Sequence, residues 1–463
     1  MTLIKSISGI RGTIGGRPNE ALTPIDVVTY TAAFAQQRKS VFSGQKITLV
    51  VGRDARISGA LIEQLVVATL QGMGVNVINL QLSTTPTVEV AVDQYKAHGG
   101  IILTASHNPA QWNALKLLNE KGEFISAAEG QALLDIAARR EIHFASIDDL
   151  GTVVTDAQFL DKHLDLICAD ELVNVEAIKN AQFHIVVDGI NSSGAIAVPA
   201  LLKKLGVTQI EVLNGEPHGR FAHNPEPLAE HLKETSSAVI QSKAHMGIVV
   251  DPDVDRLAFI SEDGSMFGEE YTLVAVADYV LTHRKGNTVS NLSSSRALRD
   301  VTRHHGGHYA ASAVGEVNVV ELMKSTQAVI GGEGNGGIIY PPLHYGRDAL
   351  MGLALFLSYA AERKQSLTQL RSQLPTYFMA KKKIDLSPDL DVDALLSEVA
   401  KTYASEEINT IDGVKIDFSD GWVHLRKSNT EPIIRVYSEA PSTERADALA
   451  DEVLEAIQKL SLS

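Results

Sequence analysis

The sequence predicts an α/β protein of several related domains, followed by a smaller α+β domain. Three observations carry that expectation. The length of 463 residues exceeds what one hydrophobic core organises and implies three or four domains. A pattern of apolar strand, polar loop, helix and glycine-led strand recurs three times, as βαβ units do. Beyond about residue 372 the texture changes to shorter, more alternating apolar segments.

The first copy of the pattern runs from Ile47-Thr48-Leu49-Val50-Val51 into Gly52-Arg53-Asp54, a helix over 60–71, and Gly74 opening the next strand. The second runs from His184-Ile185-Val186-Val187 into Asp188-Gly189-Ile190-Asn191, a helix ending near Leu205, and Gly206-Val207. The third runs from Asn287-Thr288-Val289 into Ser293-Ser294-Ser295, a helix over 297–305, and Gly306-Gly307. In the C-terminal part, residues 414–418 and 422–425 read as strands, and residues 443–460 carry apolar residues on one helical face. The apolar run 349–357 is too short to span a bilayer and reads as a buried helix.

Hydrophobic residues make up 44% and charged residues 21% of the chain, as in ordinary globular proteins. A net charge of −15 repels a nucleic-acid backbone, and there is no Lys/Arg-rich block to reverse it. An anionic ligand therefore requires a few arginines and lysines gathered in one place. The start of the sequence lacks the basic and apolar regions of a secretory signal. Cys168 is the single cysteine, which excludes an internal disulfide. These features predict a cytoplasmic protein with no nucleic-acid or membrane partner.

Four loops carry candidate chemistry. Thr104-Ala105-Ser106-His107-Asn108-Pro109 follows the apolar run 100–103, so a strand delivers a hydroxyl and an imidazole to a loop where side chains can react. Asp251-Pro252-Asp253-Val254-Asp255-Arg256 follows the strand 246–250. Alternate carboxylates on an extended loop suit a hard cation that takes oxygen ligands, with positions left for water or phosphate oxygen as Mg²⁺ prefers. The spacing imitates an EF-hand, but Arg256 stands where that turn requires glycine. In Gly331-Gly332-Glu333-Gly334-Asn335-Gly336-Gly337 no phosphate-loop lysine is present. Glu333 and Asn335 are its functional groups, a carboxylate and an amide suited to adjacent sugar hydroxyls. Arg426-Lys427-Ser428-Asn429-Thr430-Glu431-Pro432, with Arg435 beyond, offers the guanidinium, hydroxyls and N–H groups of a phosphate cradle.

Together with Ser8-Gly9-Ile10-Arg11-Gly12-Thr13, these clusters resemble the α-D-phosphohexomutase family of phosphoglucomutases, phosphomannomutases and phosphoglucosamine mutases. The resemblance covers essentially the whole chain, with the motifs in the family's order. It implies three related α/β domains with mixed sheets (1–152, 153–256 and 257–372) and a smaller C-terminal α+β domain (373–463). It implies that Ser106 carries the transferred phosphoryl group, and that one Mg²⁺ binds Asp251, Asp253, Asp255 and the phosphate on Ser106. Arg11, Lys116 and Arg256 would line the same centre, with His107 beside the serine. The lysine and Asn113 both match the family's T-x-S-H-N-P-x-x-x-N-x-x-K pattern. Glu333 and Asn335 would grip the sugar, and Arg426, Ser428, Asn429 and Thr430 would hold the phosphate that is not reacting. A sugar 1,6-bisphosphate would act as activator, on a monomer or homodimer.

The sequence departs from the family at informative places. Many members read G-E-x-S-G-H in the sugar loop, whereas here the serine is replaced by Asn335 and the histidine, a candidate general base, by Gly337. His107, His308 and His344 are the substitutes the sequence offers for that base. The usual G-D-G becomes Gly346-Arg347-Asp348-Ala349. This combination resembles a branch typified by archaeal sequences, often assigned to glucosamine or to mixed glucose and mannose substrates. The expected reaction is conversion of glucosamine 6-phosphate to glucosamine 1-phosphate, with phosphomannomutase or phosphoglucomutase activity as the alternative. A non-catalytic phosphosugar-binding relative is the reading from another class, and the intact serine and aspartates argue against it.

Overall fold

The computed structural model describes residues 2–6, 9–139, 142–385, 391–427 and 433–461. Four sheets follow one another along the chain. Three of them share one four-stranded unit. In the second sheet the order is Gln209–Leu213, His184–Asp188, Met246–Val250, Leu257–Ser261, and in the third Tyr309–Ser312, Asn287–Asn291, Ala328–Glu333, Gly337–Ile339. The first three strands of each are parallel and the fourth returns antiparallel as a hairpin. The seven-stranded first sheet contains the same unit in Asn76–Leu82, Thr48–Arg53, Gly100–Leu103 and Trp112–Leu118. Ile4–Ser6 and Gly9–Thr13 extend it beyond Trp112–Leu118, and Val153–Thr155 extends it beyond Asn76–Leu82.

The expected repeats are therefore one topology used three times, and their sheets are mixed because each ends in that antiparallel hairpin. Helices Gly59–Gly72 and Ala297–His304 occupy the predicted places. Strand pairing corrects two expected boundaries. A division after residue 152 cuts off Val153–Thr155 from the sheet it joins, and one after residue 256 separates strands that hydrogen-bond directly. We propose that the first domain closes after residue 155 and the second after residue 261.

The second and third units are not independent cores. Helix Ala349–Arg363 is buried along its length from Ala349 to Ala361, as the apolar run predicts. Its Phe356 ring stacks on Phe259, with centroids 3.8 Å apart, inside one cluster that joins residues of both units. The fourth sheet is antiparallel throughout, in the order Phe378–Asp385, Ile433–Ala440, Trp422–Lys427, Val414–Asp417, Glu407–Asn409. Helices Val392–Thr402 and Thr443–Ser461 close its core over Val399, Val423, Val436 and Val453, giving the expected α+β domain. It docks on the third unit through Arg296, whose backbone N–H donates to Glu439 at 2.9 Å and whose guanidinium donates to Asp417 at 2.9 Å. Among the described residues, no helix is long and apolar enough to cross a membrane.

Candidate active site

The repeated unit places three of the four predicted loops in one equivalent position. Each lies in the hairpin between the third and fourth strands: Ser106 between Gly100–Leu103 and Trp112–Leu118, the aspartates between Met246–Val250 and Leu257–Ser261, and Asn335 between Ala328–Glu333 and Gly337–Ile339. Each turn includes a residue in the left-handed region, Ser106 (φ 48°), Val254 (φ 63°) and Gly336 (φ 81°). For a β-branched residue such as Val254 this is a strained conformation.

Ser106 meets the acidic loop directly. Its Oγ donates to Asp251 Oδ2 at 2.6 Å and lies 3.3 Å from His107 Nδ1. Asp251 Oδ1 in turn accepts the backbone N–H groups of Asp255 and Arg256, each at 3.1 Å. Lys116, on the strand after the serine loop, donates to Asp253 at 2.7 Å and Asp255 at 3.2 Å. Thr85 Oγ1 donates to Asp253 at 2.6 Å. Arg11 pairs with Ala114 across neighbouring strands, which puts its side chain on the same sheet face as Lys116. Arg256 faces the cleft described below.

The three aspartates are essentially fully buried, and single oxygens of each lie within 4.8 Å of one another. Asp253 Oδ1 and Asp255 Oδ1 are buried without a hydrogen-bond partner. Burial works against the charge on Asp255, but Arg347, Lys116 and Arg256 hold its carboxyl well below the usual range. Asp251 goes the other way. Burial, then Asp255 and Asp253, push it well above the ordinary aspartate value, against Arg256 and the Ser106 hydrogen bond. The protein's own cations thus compensate one end of the cluster and leave Asp251 undercompensated. Orphaned oxygens and a shortage of positive charge both fit a bound metal ion.

From this centre a cleft of about 290 Å³ opens between all four domains. His107 and Arg256 line one part, Glu333 and Asn335 another, and Lys381, Arg426 and Arg435 line it from the C-terminal domain. Its volume lies just below the usual range for ligand pockets, about 300–1,000 Å³, and its lining is predominantly polar and charged. Glu333 Oε1 accepts from Asn291 at 2.9 Å and its Oε2 from Arg347 at 2.7 Å. Asn335 Oδ1 accepts the Gly337 N–H at 3.2 Å. Arg426 Nε sits 2.9 Å from Asp412. Ser428, Asn429 and Thr430 lie outside the described residues.

The histidine expectations are partly corrected. His344 does not face the cleft. It is tied 3.2 Å from Asp348 Oδ2, which also lies 3.0 Å from His163. His308 is an exposed loop residue whose backbone N–H bonds to Asn287. His107 does line the cleft, where burial and then Arg256 lower its pKa to about 2. The asparagine of the serine motif, Asn113, donates to Ser58 at 2.9 Å and anchors its strand.

Three groups at the serine loop and the cleft escape a motif reading. Arg56 is almost wholly buried and organises the serine loop. Its guanidinium donates to the carbonyls of Ser106, Asn108, Pro109 and Trp112 and to the Asp54 carboxylate. The only sequence signal is the charged pair Asp54 and Arg56 at a strand end. Glu270 lines the cleft beside Gly334 and accepts the Ser295 N–H at 2.8 Å. Burial pushes its carboxyl up to about 8. His424 also lines the cleft, with Nδ1 2.9 Å from Ser293 Oγ, and burial lowers it to about 4.

Fold and site together define a phosphohexomutase. Residues 3–143, 161–264 and 268–378 match the phosphoglucomutase/phosphomannomutase alpha/beta/alpha domains I, II and III, and residues 381–456 match the C-terminal domain of the same family. The chain is 34% identical over 441 residues to a phosphoglucomutase/phosphomannomutase of Thermococcus kodakarensis, covering 94% of this chain and 95% of that one. It is 31% identical over 455 residues to a probable phosphoglucosamine mutase of Methanopyrus kandleri, covering 98% and 97%. A solved phosphoglucomutase/phosphomannomutase family protein from Burkholderia thailandensis shares the fold with a TM-score of 0.82 at 24% identity, over 98% of both chains. The chain belongs to the phosphoglucomutase/phosphomannomutase family.

Arg56→Lys keeps the charge but cannot bridge the carbonyls that Arg56 joins. A loop displaced by about 1 Å costs on the order of 10²-fold in rate, so kcat/KM is expected to fall by about that factor, and the melting temperature to fall as well because buried carbonyls lose their donors. An unaltered kcat/KM would show that the serine loop holds its own shape.

Proposed function

We propose that this chain moves a phosphoryl group between the 1- and 6-positions of a hexosamine phosphate, converting glucosamine 6-phosphate to glucosamine 1-phosphate through a phosphoserine at Ser106. The observation that carries the reading is the 2.6 Å contact of Ser106 Oγ with Asp251 at a cleft that reaches Arg426 and Arg435 of another domain. A nucleophile beside an acidic metal loop suits phosphoryl transfer, and separate cationic groups suit a substrate that presents a phosphate at either end.

Asp251, Asp253, Asp255 and the phosphate on Ser106 would hold one Mg²⁺, which supplies positive charge at the transferring group. The rest of the chemistry belongs to the chain. A sugar hydroxyl oxygen attacks the phosphorus on Ser106; the new P–O bond forms as the P–Oγ bond breaks, and the hydroxyl proton ends on the departing Ser106 Oγ, which regenerates the serine hydroxyl. Arg11, Lys116 and Arg256 offset the charge on the phosphoryl oxygens. Glu333 and Asn335 hold ring hydroxyls, while Arg426, Ser428, Asn429 and Thr430 hold the distant phosphate. The bisphosphorylated sugar then turns end for end, and Ser106 Oγ takes back the other phosphoryl group. A sugar 1,6-bisphosphate primes any chain that has lost its phosphate.

The amide of Asn335 in the cleft supports an amino sugar, as does the name of the Methanopyrus relative. A second reading, glucose or mannose phosphate, is favoured by the name of the Thermococcus relative. Comparing kcat/KM for glucosamine 6-phosphate, glucose 1-phosphate and mannose 1-phosphate, with Mg²⁺ and the matching bisphosphate, decides between them. We expect at least about a tenfold preference for the amino sugar, about 1.4 kcal/mol in the transition state. Equal or better rates with the hexoses would select the second reading. Ser106→Ala is expected to retain the fold and lose turnover. Unchanged turnover by this variant would overturn the phosphoserine mechanism.

A further inference from the structure

We infer that Arg347 is a positioning residue that couples the sugar loop to the metal loop, and that Gly337 is glycine in order to admit it. The inference rests on the metal and sugar roles proposed above. The Arg347 guanidinium reaches three separate chain segments. Nη2 donates to Asp255 Oδ2 at 2.7 Å, Nη1 donates to Glu333 Oε2 at 2.7 Å, and Nε lies 2.9 Å from Glu316 Oε2. The Arg347 backbone N–H also donates to Glu316, at 3.3 Å. All four residues are at least nine-tenths buried. A planar fork holds two carboxylates in fixed directions, which a point-charged ammonium does not. Glu333, at the cleft, and Asp255, in the acidic loop, therefore share one cation.

The second observation comes from the other side of the sugar loop. A Cβ on Gly337 would lie 2.4 Å from Arg347 Cδ and 3.2 Å from its Cγ. Gly337 is not among the residues with positive φ, so its backbone conformation does not call for glycine. The space it leaves is filled by the arginine.

Sharing a cation makes the two loops answer to each other. When Glu333 loses its charge, the guanidinium is left to Asp255, and that carboxylate becomes a poorer ligand for a metal ion. The test is a cycle of Mg²⁺ affinities, measured by calorimetry on the full chain without substrate. In the wild-type background, Glu333→Gln is expected to weaken Mg²⁺ binding about threefold more than it does in Arg347→Lys, a coupling within the range for residues of one ionic network. Gly337→Ala changes no charge but displaces Arg347, and is expected to abolish the coupling in the same way. Melting temperatures report whether each variant is folded. Equal effects of Glu333→Gln in the wild-type and Arg347→Lys backgrounds, or full coupling retained in Gly337→Ala, would overturn the inference and leave the metal reading standing. Absence of Mg²⁺ binding by the wild-type chain would defeat the metal reading, and the coupling with it.

Discussion

Three carboxylates cannot stay buried side by side unless positive charge and hydrogen-bond donors reach them, because the cost of an uncompensated buried charge runs to several kcal/mol. Asp251, Asp253 and Asp255 impose that condition on the whole molecule. Local backbone supplies only part of the compensation, through the N–H groups of Asp255 and Arg256. Lys116, Thr85 and the Ser106 hydroxyl come from the first domain, and Arg347 comes from the third. The acidic loop of the second domain is thus satisfied only when its neighbours are in place. The interaction that prepares the site is also the one that fixes how three domains meet.

Repetition makes this convergence possible. The three α/β units turn the chain at the same point, after the third strand, and each turn contains a residue at positive φ. One turn presents the serine, the next the aspartates, and the third Glu333 and Asn335. The antiparallel domain then adds Lys381, Arg426 and Arg435 to the cleft. Burial tunes groups differently within this small space. Asp255 is held charged by three cations, Asp251 is left undercompensated, and the His107 pKa is lowered by burial and by Arg256.

The parts legible in the sequence are those written on contiguous residues. The strand–loop–helix repeats, the buried helix over 349–363 and the serine and aspartate loops all announce themselves within a dozen positions. What stayed hidden depends on pairings across the chain. Arg56 acts on carbonyls about fifty residues away, and Arg347 acts on Asp255 ninety-two residues away, so neither has a local signature. The boundary after residue 256 misleads for a related reason. The Asp-rich loop looks like the end of a unit, yet it is the turn of a hairpin whose second strand completes the sheet. His344 has the right side chain for a proton acceptor, but its bonds with Asp348 hold it in a structural network.

We propose that Ser106 carries the phosphoryl group between the two ends of the sugar. The most direct test is to incubate the protein with a sugar 1,6-bisphosphate bearing labelled phosphate and to map the label by peptide mass spectrometry. One labelled phosphate per chain is expected, on the peptide containing Ser106, and it is expected to pass to the sugar when monophosphate substrate is added. Label on a different residue, or turnover by a chain that never acquires phosphate, would contradict it.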